Sequence, residues 1–185
     1  MTAQCPQAEV EANWPLVFAA LVAAGQGSVR SQAGAIGTIC IETGSRFAPI
    51  AEFYNDPPGK YAYFEGMYGI GNHPSAAAMG NTQVGDGARY FGRGFPQITW
   101  KNHYKNYGER LGVDLVGNPD LALDPNISAQ IFALYWQDRG IQEQCEREDW
   151  TSVRKSVQGG TAGLDRLRTV AISLVNIARS RGALG

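Results

Sequence analysis

Residues 85–99 read GDGARYFGRGFPQIT. Four glycines fall within ten residues and alternate with Arg89, Tyr90, Phe91 and Arg93. Glycine permits backbone conformations and close approaches closed to other residues. A flexible linker would be rich in Gly and Ser and lack these aromatics. The stretch therefore reads as a shaped loop lining a groove. Arg93, Gln97 and Thr99 are side chains able to hydrogen-bond a polar ligand, and Tyr90 stands beside them.

Outward from this loop, the chain is 185 residues long, 44% hydrophobic and 18% charged. One domain with a real core is expected, with a core at about residues 13–182 and no repeat or linker. A net charge of −1 argues against nucleic-acid partners and against a charge-held membrane protein. Cys5, Cys40 and Cys145 cannot all pair internally, and no CxxC spacing exists, so a disulfide scaffold is not expected. Cys40 reads as a core residue. The N-terminus lacks a basic leader, and the apolar stretch Leu16–Ala24 is too short to span a bilayer, so neither export signal nor membrane anchor is expected.

The periodicity is mainly helical. Asn13 is expected to cap a helix over 14–24, and Ser31 a second helix ending near Thr43-Gly44. From about 55 to 96, Gly, Pro, Asn and Tyr dominate and no period persists, so long functional loops are expected. Helical signals return at 101–111, from Asp124-Pro125 to Arg139, at 148–157 and at 163–181.

The titratable residues narrow the chemistry. No HExxH or Asp-rich calcium loop is present, and two isolated histidines make no metal site, so neither metal nor cofactor is expected. GxSxG is absent, and the glycine loop follows no strand that would make it a dinucleotide site. Glycosidic hydrolysis uses two carboxyl groups, one protonated and one ionised. Glu42 and Glu52, in IETGSRFAPIAEF, are the candidates. Glu42 ends an apolar helix, where burial and the negative helix end both favour the protonated acid. Ten residues of helix would set the two about 15 Å apart, beyond the roughly 6.5–9.5 Å of an inverting pair. The helix is therefore expected to break at Gly44 and Pro49. Read from spacing alone, Glu42 as a helix-end residue and Glu52 as a surface charge remain open.

TQVGDGARYFGRGFPQIT (82–99) resembles the signature of family 19 glycoside hydrolases, which include plant-type chitinases and phage endolysins. IETGSRF (41–47), YFEGMYGIGN (63–72) and VQGGTAGLDR (157–166) resemble three further family segments in the same order. The resemblance implies a mainly α, lysozyme-like fold of two lobes with a central substrate cleft and long loops. It implies inverting hydrolysis of a β-1,4 bond beside an N-acetylated sugar. Glu42 would be the general acid and Glu52 the base, with Thr99 holding the attacking water. Gln97 would bind the sugar, and Arg166 would steady the carboxylates. The sequence departs from the family pattern at Ile41, Trp100, His103 and Gln158. Trp100 would add a stacking face, His103 stands where asparagine is common, and Asn102 could substitute only with a shift of register. The Glu42–Glu52 gap is one residue longer than is usual in phage members, which leaves Glu65 as a rival base.

The resemblance implies an endolysin acting on peptidoglycan as a monomer, made in a host cytoplasm and reaching the cell wall after release. Chitinase is the alternative. A lytic transglycosylase and a non-catalytic glycan-binding module are further readings. Glu42 and Thr99 argue against the module.

Overall fold

Helix packing around one glycine-bearing helix organises the first of two compact units. The structure is a computed structural model and describes residues 5–52 and 59–184. Unit 1 comprises residues 1–48 and 129–185, and unit 2 residues 49–128.

In unit 1, α1 (Gln7–Ala23), α2 (Val29–Glu42), α7 (Ile141–Glu146), α8 (Trp150–Gln158) and α9 (Leu164–Ser180) join most of α6 (Pro125–Asp138). Helix α2 packs against α7, α8 and α9. A methyl group at Gly34 would lie 2.6 Å from Cys145 Sγ, and one at Gly37 2.7 Å from Leu167 Cδ1. Glycine inside a helix costs roughly 0.5–1 kcal/mol; here it allows α7 and α9 to approach the α2 backbone.

Two expected caps are corrected. Helix α1 begins six residues before Asn13, after extended Pro6, and continues through Pro15. Asn13 is buried within it and donates its amide to the Glu9 carbonyl at 3.0 Å. Helix α2 is capped by Ser28, whose hydroxyl accepts from the Ser31 N–H at 3.1 Å. The Ser31 hydroxyl is instead buried and takes Trp136 Nε1–H at 2.8 Å. Helix α2 ends at Glu42 with Thr43 as its C-cap, in agreement with the expected end near Thr43-Gly44.

The later helices match the expected starts. Asp124 Oδ1 accepts the N–H groups of Asn126 and Ile127 at the head of α6. Asp149 accepts Ser152 N–H at the head of α8. Gly140, in the left-handed region at φ 59°, does more than stop α6, because α7 starts directly after it.

Unit 2 contains α3 (Lys60–Tyr68), α4 (Asp86–Arg89), α5 (Lys101–Leu111) and a 3-10 turn at Pro119–Leu123. Strands β1 (Ile50–Ala51) and β2 (Arg93–Gly94) pair antiparallel, with Ile50 opposite Gly94 and Ala51 opposite Arg93. Helix α5 spans the expected residues. Helix α3, β2 and α4 lie where no regular element was expected. The reason is tertiary: α3 buries Phe64, which stacks on Phe91 at 4.2 Å with the planes 4° apart. The part of the expected loop at 53–58 lies outside the described residues. No helix among them is long and apolar enough to cross a membrane.

Candidate active site

Glu52 follows β1 directly, and its surroundings come from unit 2. Its N–H donates to the Gly92 carbonyl at 2.8 Å, and Gly92 N–H returns a bond to Oε2 at 3.2 Å. The Tyr68 hydroxyl lies 3.0 and 3.1 Å from the two carboxylate oxygens. Burial, and then the Glu52 charge and hydrogen bond, push the Tyr68 phenol above the usual tyrosine range. It therefore stays protonated and donates to a carboxylate that only accepts.

A methyl group at Gly92 would meet Glu52 Oε2 and Gln97 Oε1, each at 3.1 Å. The two oxygens thus converge over a position where any Cβ would be tightly packed. Gln97 Nε2 donates to Ile50 O at 2.8 Å and Gly94 O at 2.7 Å, which ties its amide to both strands. Thr99 is half-buried, and its hydroxyl donates to Gln97 O at 3.2 Å. The Thr99 carbonyl lies 2.6 Å from His103 Nδ1. A carbonyl can only accept, so Nδ1 carries the proton. The Trp100 ring stands edge-on to Tyr68 at 5.1 Å and tilted against His73 at 5.0 Å.

Glu42 belongs to unit 1. Arg154 on α8 donates Nη1–H to Glu42 Oε1, and its Nε donates to Ala162 O. The pair is largely buried, with side-chain exposures of 6% for Arg154 and 16% for Glu42. The apolar surroundings expected for Glu42 are therefore corrected: a guanidinium lies against it. Arg166, expected to steady the carboxylates, donates Nη2–H to Ser45 Oγ at 2.7 Å.

Positive φ marks the same places. Among the described residues, the non-glycine residues with φ in the left-handed region are Ser45, Phe47, Gln97, Trp100 and Glu148. Two follow Glu42 within five residues, and two flank Thr99. Such conformations cost of order 1–3 kcal/mol each and cluster at functional sites. The turn after Glu42 is fastened by Thr43 Oγ1, which donates to Ile39 O and accepts Phe47 N–H at 2.9 Å.

Other expected ligand-facing residues have supporting places. Tyr90 is buried, with its hydroxyl on Val116 O at 3.2 Å. Arg93 is buried and bonded to Asp120 Oδ1 at 2.8 Å. Asn102 fastens a turn by donating Nδ2–H to Ala78 O at 3.1 Å. Glu65 Oε2 accepts Ala88 N–H at 3.2 Å, so this carboxylate braces α4. Sequence reasoning missed Tyr68, Gly92, Arg154 and Asn81. Asn81 is fully buried and joins Tyr68 O to Lys101 N–H. Tyr68 and Gly92 lay inside quoted motifs without a distinguishing signal, and Arg154 shares a helix face pattern with ordinary surface cations. No group of three His, Cys, Asp or Glu residues able to hold a metal occurs among the described residues.

Residues 14–152 match the family model for class I chitinases, glycoside hydrolase family 19. The chain belongs to glycoside hydrolase family 19. It is 46% identical over 57 residues to Endochitinase 1 of Theobroma cacao, covering 30% of this chain and 18% of that protein. Endochitinase 2 of Gossypium hirsutum is 39% identical over 83 residues, 43% of this chain and 28% of its own. The matched region thus spans less than a third of either plant relative. A glycosyl hydrolase family 19 domain-containing protein of Haemophilus influenzae is 30% identical over 116 residues, 62% of this chain and 56% of its own. Among solved structures, a bacterial family 19 chitinase superposes with a TM-score of 0.62 at 18% identity, over 91% of this chain and 94% of that one. Chitinase C of Streptomyces griseus gives 0.59 at 21% identity, over 80% and 59%. These structures share the mainly helical, lysozyme-like fold expected for the chain.

Proposed function

We propose that this chain hydrolyses β-1,4 bonds between N-acetylated amino sugars of bacterial peptidoglycan, with inversion at the anomeric carbon. The observation that carries the reading is the setting of Glu52: an acceptor held by a phenol and a backbone N–H, with Gln97 beside it and Thr99 two residues further. In this reading Glu52 takes a proton from the attacking water, which the Thr99 hydroxyl helps to place. Glu42 protonates the leaving oxygen. Because Arg154 takes Oε1, the delivered proton belongs on Oε2. The anion left on Glu42 then already has a guanidinium against it, which stabilises charge as it develops. Proton transfers complete the reaction, and no cofactor is invoked.

Chitin is the second reading, favoured by the plant and bacterial chitinases among the relatives. Mass spectrometry of purified peptidoglycan and of chitin oligomers digested side by side separates the two. A new reducing end on peptidoglycan supports the first reading. Cleavage of chitin alone replaces it with the second, and an anhydro-sugar end replaces hydrolysis with transglycosylation. NMR of the first product should show inversion; retention rules out the assigned roles. The proposed place of action is the bacterial wall, reached after release from the cell that made the protein.

A further inference from the structure

A recess in unit 2 is absorbed by no part of this mechanism. Its volume is about 610 Å³, within the range of ligand pockets. Tyr61, Gln83, Arg89, Arg93, Pro119 and Asp120 line it. A run of ring contacts leads from Glu52 to the lining residue Arg93. Tyr68, bonded to Glu52, stacks on Phe64 at 6.1 Å; Phe64 stacks on Phe91; the Arg93 guanidinium covers the far side of Phe91 at 3.8 Å. Glu52 and the lining residue Arg93 thus stand at the two ends of this series of contacts.

The floor is a preset polar surface. Arg93 is 6% exposed, and its guanidinium is pinned by Asp120, Tyr104 and the carbonyls of Arg89 and Phe91. Its Nη2 makes no hydrogen bond to any other described residue, and Arg93 lines the recess. Asp120 spends Oδ1 on Arg93 while its side chain stays 71% exposed. Donor and acceptor are thus held side by side with little ordering left to lose on binding. Tyr61 supplies an aromatic face that is 59% exposed.

Charge narrows the ligand. The lining carries two cations, Arg89 and Arg93, and two anions, Asp86 and Asp120; Asp120 pairs with Arg93, Lys101 reaches Asp86 from outside the recess, and Arg89 is held on the carbonyls of Val116 and Gly117. A fixed mixture of both signs attracts neither a strong anion nor a cation. It suits a neutral group whose hydroxyls both donate and accept, with a C–H face to lay on an aromatic ring.

We propose that this recess is an accessory glycan site, which takes a neutral N-acetylated pyranose with Tyr61 as its platform. It holds a neighbouring part of the polymer while the reacting bond lies elsewhere. The proposal rests on the glycan reading above, and the test separates the two. The full chain carrying Glu42→Gln is titrated with the N-acetylglucosamine tetramer and followed by amide NMR. Two groups of shifted amides are expected, one around Glu52 and Thr99 and one around Tyr61, Gln83 and Asp120. Tyr61→Ala should weaken the second group about fivefold and leave the first unchanged. In the otherwise wild-type chain it should raise KM for polymeric glycan about fivefold with kcat on the tetramer unaltered. Because Tyr61 is exposed, its removal leaves the core intact, and Gln83→Ala gives a second probe of the same wall. Shifts confined to Glu52 and Thr99, or an unchanged polymer KM in Tyr61→Ala, overturn the accessory site while the glycan reading stands. No shift with the tetramer or with soluble peptidoglycan fragments overturns both.

Discussion

Glu42 and Glu52 are carboxylates of one proposed reaction, yet the two units hold them by different means. In unit 1 the partner is a charge: Arg154, almost wholly buried, bonded to a single oxygen at the end of a long helix. In unit 2 the partners are neutral: a phenol and a backbone N–H, reached through short strands and loops. A guanidinium stabilises an anion that appears after proton delivery. Neutral donors orient a carboxylate without cancelling its charge, which suits a group that must attract a proton from water. In the proposed mechanism each set of partners is matched to one assigned role, and the mutations below test that match.

The comparison breaks first at the carboxylates themselves. Glu42→Gln and Glu52→Gln should each lower kcat on peptidoglycan by about 10²–10⁴, with helical circular dichroism retained. If either keeps full activity, its role falls. Next comes the charge pair. Arg154→Ala leaves Glu42 partly buried without its partner and should cost about 3 kcal/mol of stability by denaturant titration. Tyr68→Phe removes one neutral donor and should cost less, about 1.5–2 kcal/mol. Equal losses would erase the electrostatic contrast between the units.

Gly92→Ala sharpens the geometry of unit 2. The methyl group meets Glu52 and Gln97 at 3.1 Å, so these side chains must give by a few tenths of an ångström. Activity should fall about tenfold with the melting temperature little changed. Alkaline pH then isolates the tyrosines. Tyr68 is raised above its ordinary value, and Tyr104 is pushed up to about 12, both chiefly by burial. Their native phenols hold protons that unfolded tyrosine releases near pH ~10. This stabilisation is complete below pH ~10 and is lost as pH rises through the native values. Denaturation midpoints at increasing alkaline pH should fall more steeply for wild type than for Tyr68→Phe. The smallest effect belongs to a helix end. Asp149→Ala removes the α8 cap and should cost about 1 kcal/mol, measured as a shift in denaturant midpoint.

Local chemistry made much of the fold legible. Helix α5, the start of α6 and most of α8 and α9 follow from apolar spacing, the Asp124-Pro125 cap and glycine stops. The reading failed where a side chain had two uses. Ser31 can cap a helix, but the Trp136 indole takes its hydroxyl, and Ser28 caps instead. Helix α3 shows little helical pattern of its own and is held by the Phe64–Phe91 stack. At the candidate site, Glu42, Glu52, Gln97 and Thr99 could be named from motif and chemistry, although their partners could not. Tyr68 and Gly92 approach Glu52 from 16 and 40 residues away, and Arg154 reaches Glu42 from 112.

By itself the sequence determined the family, the helical class and the residues able to exchange protons, because motifs, caps and carboxylates are properties of short stretches. Tertiary structure alone decided which groups stand against each carboxylate, and that Tyr90 and Arg93 support the fold. It also decided that Arg93 lines a recess in unit 2. Those outcomes depend on burial and on distances between residues far apart in the chain, which no local pattern contains.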